Sequence, residues 1–391
     1  MFLKQFHVLP LLLLLHLVAR LSASTPAPAV VTHLPGFDGP LPFHLETGYV
    51  GVEEETGTEL FYYFVESERS PGTDPVILWL TGGPRCSGFC GMVFQVGPIN
   101  FVVAPYNGSL PQLVYNPYSW SKIASIIFLD TPVGAGFSYA HDPKGYDVGD
   151  ISSSWQVVTF LHKWFSDHPR YASNPFYIGG TSYAGKGYLV GNPITGIRFD
   201  DFNSRIPYGH GVGIISDQLY EAAMENCEGN YVSPMNKMCV VVINTIENLI
   251  SELYEEYILG DRCVHDAPKP VKNDTSRSRF LSEEQFQITG TTCLTFGQMI
   301  TGLEMLLGSR SGDHDMVVPH LGTQAWIRSF NFSIVDDWRA WHVDGQSAGF
   351  TIGYANHMTF ATIKGGGHTA ISFRPKQGFA MGQRWLDNEP L

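Results

Sequence analysis

The segment FYIGGTSYAG, residues 176–185, most restricts how this chain can fold. Its apolar residues Phe176, Tyr177 and Ile178 indicate a buried strand, and the following glycines indicate a sharp turn that presents Ser182. Small neighbours suit such a turn, because the backbone at the serine adopts strained dihedral angles. The arrangement is typical of a nucleophile elbow, in which a catalytic serine follows a strand. A plain turn is the alternative, because short motifs of this kind also arise by chance.

The strand and helix patterns predict an α/β fold. Apolar runs at residues 60–65, 76–80, 123–129 and 358–363 read as strands, and residues 150–165 and 321–330 have helical spacing, with Asp150 or a nearby serine as the first N-cap. Strands that alternate with helices predict a doubly wound, mainly parallel sheet. We expect residues 25–215 and 301–391 to form this domain and residues 216–300 to form a cap insertion. Within the insertion, the acidic run 246–259 reads as a solvent-exposed helix.

The first 24 residues have the features of a signal peptide. Lys4 precedes an apolar stretch over residues 8–18, and small residues at 22–24 provide a cleavage site after Ser24. The apolar stretch is too short to cross about 30 Å of hydrocarbon, so we expect export rather than a membrane anchor. Three Asn-X-Ser/Thr motifs agree with export as glycosylation sites: Asn107, Asn273 and Asn331.

Composition and cysteine content narrow the class of protein. The chain has 391 residues, of which 44% are apolar, enough for a large globular core, and its net charge of −13 argues against nucleic-acid binding. Six cysteines in an exported chain suggest disulfides, although sequence does not fix their pairing. Cys227 and Cys239 are close enough to close one loop, and Cys263 and Cys293 could close another. Two cysteines in a glycine-rich loop, Cys86 and Cys90, lack partners unless they pair with each other.

A serine nucleophile needs a base within hydrogen-bond reach and an acidic group that orients that base. Asp315 lies in SGDHDMVVP and His368 follows three glycines in KGGGHTA, both on predicted loops at strand ends. The order Ser, Asp, His is that of α/β-hydrolases. The other candidate histidines occur in less loop-like surroundings, and any single histidine can equally be structural; they are His314, His320, His342 and His357.

The same chemistry needs an oxyanion hole of backbone N–H groups. In this architecture one donor is the residue after the nucleophile, here Tyr183, and the other lies in a glycine-rich loop after an upstream strand. The TGG loop after residues 76–80 makes Gly83 the expected second donor, with a tight turn as the alternative reading.

Taken together, these motifs make the chain resemble the serine carboxypeptidase-like family of plants. The resemblance implies an α/β-hydrolase fold, a triad at Ser182, Asp315 and His368, oxyanion donors at Gly83 and Tyr183, and no metal or cofactor. It also implies export to the vacuole or the cell exterior, and as partners either a small-molecule acyl donor and acceptor or a peptide C-terminus. The matching segments are residues 34–52, 60–67, 76–88, 123–139, 176–185, 187–196, 205–221, 311–329 and 359–370.

Departures from the family pattern favour acyl transfer. The resemblance places substrate-binding groups at Thr81, Gly82 and Thr181. Family peptidases hold the substrate carboxylate with an asparagine at the position of Thr81 and a glutamate at that of Thr181, which an acidic residue at the position of Gln95 supports. This chain lacks those groups, so the expected activity is transfer from a glucose ester to an alcohol, with carboxypeptidase activity as the alternative. Arg85 replaces a family glycine beside the oxyanion donor, where it would crowd the site or fix the loop in another shape.

Two segments are shorter than the family pattern. Only YAGK, residues 183–186, separates Ser182 from the next apparent strand, whereas a crossover between parallel strands needs about a dozen residues. A second shortening precedes Gly312 and removes the expected disulfide partner of Cys86. We therefore hypothesise an internally shortened chain with compromised folding and activity. A catalytically inactive family member is the corresponding alternative function.

Overall fold

The computed structural model describes residues 28–83, 85–102, 104, 108–182, 189–193, 202–261, 308–355 and 357–391. Within these ranges, no helix is both long enough and apolar enough to cross a bilayer. Several predicted features lie outside them: the signal peptide, Tyr183, Cys263, Cys293, Asn107 and Asn273.

The strands of the described residues are β1 (Ala29–Val31), β2 (Leu45–Glu53), β3 (Thr58–Val65), β4 (Val76–Leu80), β5 (Ile99–Phe101), β6 (Leu113–Tyr115), β7 (Ser125–Leu129), β8 (Tyr139–Ala140), β9 (Phe176–Thr181), β10 (Leu189–Gly191), β11 (Gly308–Gly312), β12 (Ile334–Val343), β13 (Gln346–Tyr354) and β14 (Met358–Ile363).

The helices are α1 (Gly88–Phe94), α2 (Asp150–Asp167), α3 (Arg205–Gly211), α4 (Asp217–Cys227), α5 (Lys237–Ile250), α6 (His320–Ser329), α7 (Ala370–Phe373) and α8 (Pro375–Leu386). Short 3₁₀ turns occur at Trp120–Lys122, Pro143–Tyr146 and Pro169–Tyr171.

One large sheet organises the molecule, with strand order β1-β2-β3-β7-β4-β9-β10-β11-β14-β13-β12 and β8 paired to β3. The six central strands, from β7 to β14, pair in parallel. The outer strands pair antiparallel. The predicted mainly parallel α/β architecture is therefore confirmed. The β12–β13 hairpin was not among the predicted strands.

The centre of the sheet is buried on both faces. Every residue of β4 and β7 is buried, as expected when helices cover both faces of a parallel sheet. One face packs around Trp79, Trp120 and Phe128. The other packs against α2, which presents Phe160 and Trp164 at helical spacing.

The start of α2 differs by one residue from the prediction. Gly149, not Asp150 or a serine, is the N-cap, and Ser152 Oγ accepts a 2.9 Å hydrogen bond from the Gly149 N–H. Asp150 is instead the first helical residue, where its carboxylate complements the positive end of the helix dipole.

The predicted cap region contains α4 and α5, which the Cys227–Cys239 disulfide joins. The helix predicted over residues 246–259 was wrong in its bounds, because α5 covers Lys237–Ile250 and residues 251–261 form turns. The apolar face of α5, including Val242, Ile243 and Ile246, packs in a separate core cluster. After Ile250 the backbone forms local turns, and from Glu255 onward it hydrogen-bonds to loops of the sheet domain.

The short connection between β9 and β10 is compatible with parallel pairing. Thr181 pairs with Gly191 and Gly179 pairs with Leu189, so β10 begins only two levels below the end of β9. The two strands are therefore parallel, although their connection is shorter than the dozen residues that a crossover usually needs.

Candidate active site

Three residues at the carboxyl ends of parallel strands meet at one edge of the sheet. Ser182 directly follows β9, Asp315 lies three residues after β11, and His368 follows β14. Ser182 has a φ of 58°, a left-handed conformation that L-residues rarely adopt and that fits a strained turn. In open α/β sheets, functional sites form at this edge.

His368 hydrogen-bonds both other members of this group. Its Nε2 lies 2.9 Å from Ser182 Oγ, and its Nδ1 lies 2.9 Å from Asp315 Oδ2. Nδ1–H donates to the carboxylate, which leaves Nε2 as an acceptor for the serine hydroxyl. The arrangement can therefore remove a proton from Ser182 and hold the resulting imidazolium.

The pKa of His368 is raised above its ordinary value. Burial has the largest single effect and lowers this pKa. The hydrogen bond and charge of Asp315, together with the charge of Glu256, raise it by more than burial lowers it. Asp315 itself is fully buried. The imidazolium form is thus stabilised by a carboxylate that water does not screen.

Asp315 is held by donors on both oxygens. Oδ1 accepts from the backbone N–H groups of Val317 at 2.8 Å and Val318 at 3.1 Å. Oδ2 accepts from the side-chain amide of Asn192 at 2.5 Å as well as from His368. Sequence reasoning missed Asn192. The signal that could have found it was a polar residue directly after a strand, in the segment LVGNP.

Glycines allow the loop that carries Asp315 and the loop that carries His368, the two candidate catalytic loops, to approach each other. A Cβ on Gly312 would lie 2.1 Å from the carbonyl oxygen of Gly367. The loops are then joined by a hydrogen bond from the His314 N–H to the Gly366 carbonyl at 2.9 Å. The glycines around GDHD and GGGH therefore allow close backbone contact.

The other candidate histidines make no hydrogen bond to Ser182 in the described part of the chain. His314 contacts the carboxylate of Asp313, at 2.6 Å. His320 lies at the start of α6, and burial lowers its pKa. His342 lies on β12, and His357 lies at the turn before β14, at the opposite end of that strand from His368.

The predicted oxyanion loop lies beside the serine. Leu80, at the end of β4, pairs with Gly180, so the residues that follow each strand are neighbours. Gly83 has a φ of 124°, and a Cβ there would lie 2.9 Å from the Cys86 nitrogen. Glycine is therefore required at this turn. The other expected oxyanion donor, the N–H of Tyr183, lies outside the described residues.

Asp130 and Arg85 fasten this loop to the loop after β7. Asp130 accepts hydrogen bonds from Ser87 Oγ at 2.6 Å, the Gly88 N–H at 2.7 Å and the Phe137 N–H at 2.8 Å. The Arg85 guanidinium donates to the carbonyls of Val133 at 3.3 Å and Tyr146 at 3.4 Å. Of the two expected roles of Arg85, these contacts fit fixation of the loop.

The predicted substrate-binding positions have neutral side chains. Gln95 Oε1 accepts hydrogen bonds from the Trp79 indole at 2.7 Å and from Thr181 Oγ1 at 3.3 Å. Trp79 can only donate, which fixes the orientation of the amide. The buried hydroxyl of Thr81 has no hydrogen-bond partner among the described residues, and Gly82 is buried beside it.

Comparison with known proteins gives the family. The model of a family described as serine carboxypeptidase matches residues 35–186, 186–299 and 295–388. The chain belongs to this family. It is 42% identical over 435 residues to serine carboxypeptidase-like 16 of Arabidopsis thaliana, covering 98% of this chain and 99% of the relative. It is 41% identical over 437 residues to serine carboxypeptidase-like 7 of the same plant, covering 98% and 99%.

A solved structure supports the same fold at low sequence identity. Kex1 of Saccharomyces cerevisiae, a prohormone-processing carboxypeptidase, superposes with a TM-score of 0.64 at 17% identity, covering 88% of this chain and 91% of that one. The serine carboxypeptidase-like chain therefore has the predicted α/β-hydrolase fold.

The family match is interrupted close to the two predicted shortenings. The alignment with the first relative runs over 435 positions and covers 98% of the 391 residues, so it contains gaps in this chain. The family match breaks at residue 186, where the sequence predicts the first shortening, and again at residues 295–299, ahead of the second. The differences from the relatives are thus internal.

Proposed function

We propose that this protein transfers acyl groups through an ester of Ser182, from a glucose ester to an alcohol acceptor. In the first step Ser182 Oγ attacks the ester carbonyl carbon while its proton moves to His368 Nε2. The tetrahedral intermediate carries a negative oxygen, which the backbone N–H groups of Gly83 and Tyr183 stabilise. Collapse breaks the bond to glucose, which leaves with the proton from His368.

The second half of the reaction repeats these roles. The acceptor alcohol loses its proton to His368 Nε2 and attacks the acyl carbon of the Ser182 ester. The new ester then forms as the bond to Ser182 Oγ breaks and the serine recovers its proton. Asp315 orients the imidazole in both halves and stabilises its charged form.

The observation that carries this proposal is the position of His368 between Ser182 and Asp315, at 2.9 Å from each. These groups are sufficient to take the proton from the Ser182 hydroxyl when a serine ester forms and to return it when the ester breaks. The geometry also weighs against the alternative of an inactive family member, because the three side chains meet despite the short connection after Ser182.

The neutral Gln95–Thr181–Trp79 group favours transfer from a glucose ester over release of a C-terminal amino acid. Family peptidases hold the substrate's terminal carboxylate with an asparagine and a carboxylic acid, whose positions are here Thr81 and Thr181. Gln95, at the position that supports the acid, is also neutral, and its Oε1 accepts from Trp79 and Thr181. Hydroxyl and amide groups suit a sugar ester, whose own groups are neutral hydroxyls.

Carboxypeptidase activity is the second candidate, because the matching family model is described as serine carboxypeptidase. The two activities share the acyl-serine step and differ in the leaving group and in the acceptor, which is water in a peptidase. Substrate assays therefore distinguish them, and active-site labelling does not.

Export and glycosylation belong to the same proposal. Asn331 is exposed, with a φ of 55°, at the turn between α6 and β12, so its amide is accessible to a glycosyltransferase. We expect the signal peptide to direct the protein into the secretory pathway, with the vacuole or the cell exterior as its destination. Mass analysis of the secreted protein before and after endoglycosidase treatment tests this point.

The decisive experiment uses the full chain expressed through a secretory pathway. One portion is treated with a fluorophosphonate probe, another with a sinapoyl- or galloyl-type glucose ester plus an alcohol, and a third with a blocked dipeptide. We expect labelling at Ser182 and formation of the new ester, both abolished in Ser182→Ala and His368→Ala. Turnover of the dipeptide alone would favour the peptidase, and a folded protein that neither labels nor turns over either substrate would favour the inactive alternative.

A further inference from the structure

A short segment of the cap region lies between the two catalytic loops. The Glu256 carbonyl accepts a 2.6 Å hydrogen bond from the His368 N–H, and the Glu255 carbonyl accepts a 2.9 Å bond from the Met316 N–H. In the opposite direction, the Ile258 N–H donates to the His314 carbonyl at 3.1 Å. The segment is thus bonded to the loop of Asp315 and to the backbone of the histidine itself.

Side chains fix this segment at two points. Arg205, at the start of α3, contacts Glu255 at 2.5 Å and Glu247 at 3.7 Å, and its side chain is only 15% exposed. Tyr257 stacks on Phe373 of α7 with ring centroids 4.4 Å apart. The first anchor ties the segment to α3, and the second ties it to the helix that follows His368.

The segment lies in close contact with the histidine loop at Gly367. A Cβ on Gly367 would lie 2.3 Å from the Glu256 carbonyl oxygen and 2.7 Å from the Phe373 ring. Real Cβ atoms do not approach so closely, so the position of Glu256 and the position of His368 depend on each other.

We propose that Glu255, Glu256 and Tyr257 form a positioning segment that holds His368 against Asp315, and that Arg205 holds this segment in place. The proposal rests on the proposed function, because it concerns the geometry of the same catalytic group. It assigns positioning roles to residues that do not touch the reacting atoms.

Charge adds to the geometry. Burial lowers the pKa of His368 and Asp315 raises it. Glu256 has a smaller effect, which also raises this pKa. The Glu256 carboxylate accepts a hydrogen bond from Tyr254 Oη at 3.0 Å. The other acidic groups at the same loops are in ion pairs: Glu255 with Arg205, and Asp313 with His314. Glu256 is exposed, so salt should weaken its effect on the imidazole.

The first test measures the histidine directly and does not depend on activity. The imidazole of His368 is titrated by NMR, with its resonance assigned by comparison with His368→Ala. We expect Glu256→Gln to lower the pKa of His368 and 1 M salt to reduce the difference from the wild type. The matched control is Glu252→Gln, an exposed glutamate in the same turn region. Equal titrations in the two variants would overturn the electrostatic part of the proposal.

The second test concerns position. In Arg205→Gln we expect kcat to fall about 10- to 100-fold with KM unchanged, because small displacements of a catalytic group have effects of this size. Arg205→Lys, which keeps one ion pair, should recover part of the loss. Rates are expressed per folded molecule, from circular dichroism.

The outcomes separate this proposal from the proposed function. Wild-type protein that does not react with a fluorophosphonate would refute the proposed function, while the NMR titration would still report on the positioning segment. If both Arg205 variants keep wild-type kcat per folded molecule, the segment has only a structural role and the positioning proposal is wrong. If Arg205→Gln does not fold, Arg205→Lys decides the question.

Discussion

The side-chain amide of Asn192 donates a 2.5 Å hydrogen bond to Asp315 Oδ2, the same oxygen that contacts His368 Nδ1. Asn192 is 1% exposed, and its Oδ1 accepts from the Gly312 N–H at 3.3 Å. One side chain therefore fixes both the orientation of the carboxylate and the backbone that leads to it.

Replacement of Asn192 by alanine should reduce catalysis and stability together. The buried carboxylate loses a donor, which costs about 1–3 kcal/mol, and its rotation away from His368 should lower kcat about tenfold or more. Urea unfolding and ester turnover measure the two effects. Asn388→Ala is the control, because Asn388 has a left-handed φ of 55°, close to the 44° of Asn192, but is exposed. Equal effects of both substitutions would assign the change to backbone strain alone.

The rate of serine acylation should rise with pH as His368 loses its proton, with a midpoint above the ordinary histidine value of 6.5. Asp315→Asn should move this midpoint downward, because it removes the charge that stabilises the imidazolium, and should lower the rate by about 10⁴-fold. The pH dependence of fluorophosphonate labelling measures both. Asp337→Asn, at an exposed position of β12, should leave the profile unchanged. An unaltered midpoint in Asp315→Asn would contradict this account of the raised pKa.

Gly312→Ala should disrupt the approach of the two catalytic loops. The added methyl group would lie 2.1 Å from the Gly367 carbonyl and 2.4 Å from that of Gly366. We expect activity to fall at least tenfold, since the loops must separate. Gly72→Ala is the matched control, because no atom lies within 4 Å of a Cβ there. Wild-type activity in Gly312→Ala would show that the loops tolerate separation.

The half-buried pair of His168 and Glu46 should make stability depend on pH away from the active site. Glu46 Oε1 lies 2.8 Å from His168 Nε2 and accepts from Tyr62 Oη at 2.7 Å. For His168, burial lowers the pKa, but Glu46 and the Trp164 carbonyl raise it more. For Glu46, burial raises the pKa, but the bonds from His168 and Tyr62 lower it more.

The signs of these shifts define a pH window. The raised pKa of His168 contributes stability that is complete below pH 6.5 and lost as pH rises through the folded-state pKa. The lowered pKa of Glu46 contributes stability above pH 4.5 that is lost as pH falls through its folded-state pKa. The pair should therefore stabilise the fold most between about pH 4.5 and 6.5. Urea unfolding at a series of pH values measures the free energy of unfolding. Wild type and the exposed control Glu54→Gln should show this pH dependence, and Glu46→Gln should show a flatter one. Parallel curves for all three proteins would contradict the prediction.

Sequence patterns predicted the central sheet well because its strands are continuous apolar runs. Residues 76–80 and 358–363 match β4 and β14 residue for residue, since strands buried on both faces carry an unambiguous signal. The β12–β13 hairpin was missed because its exposed positions, including Val335 and Trp338, break the alternation of apolar and polar residues. The end of α5 was missed because residues 251–259 continue the helical spacing of the sequence, although they form turns in the structure.

Sequence motifs predicted the residues of the candidate site that lie in recognisable local segments. The elbow serine and the GDHD and GGGH loops have local signatures, and the structure brings Ser182, Asp315 and His368 together. Asn192 and the positioning segment have no such signature, because their roles depend on contacts between residues far apart in the chain. Asn192 lies 123 positions from Asp315, a relation that periodicity cannot reveal.

Ser182 and His368 are 186 positions apart, and the histidine follows the last strand of the described sheet. During synthesis the nucleophile therefore emerges well before its base, and β14 must insert between β11 and β13 before the two can meet. A nascent chain consequently carries the serine without its hydrogen-bonded histidine. The contact between Ser182 and His368 forms only when the closing strand has docked.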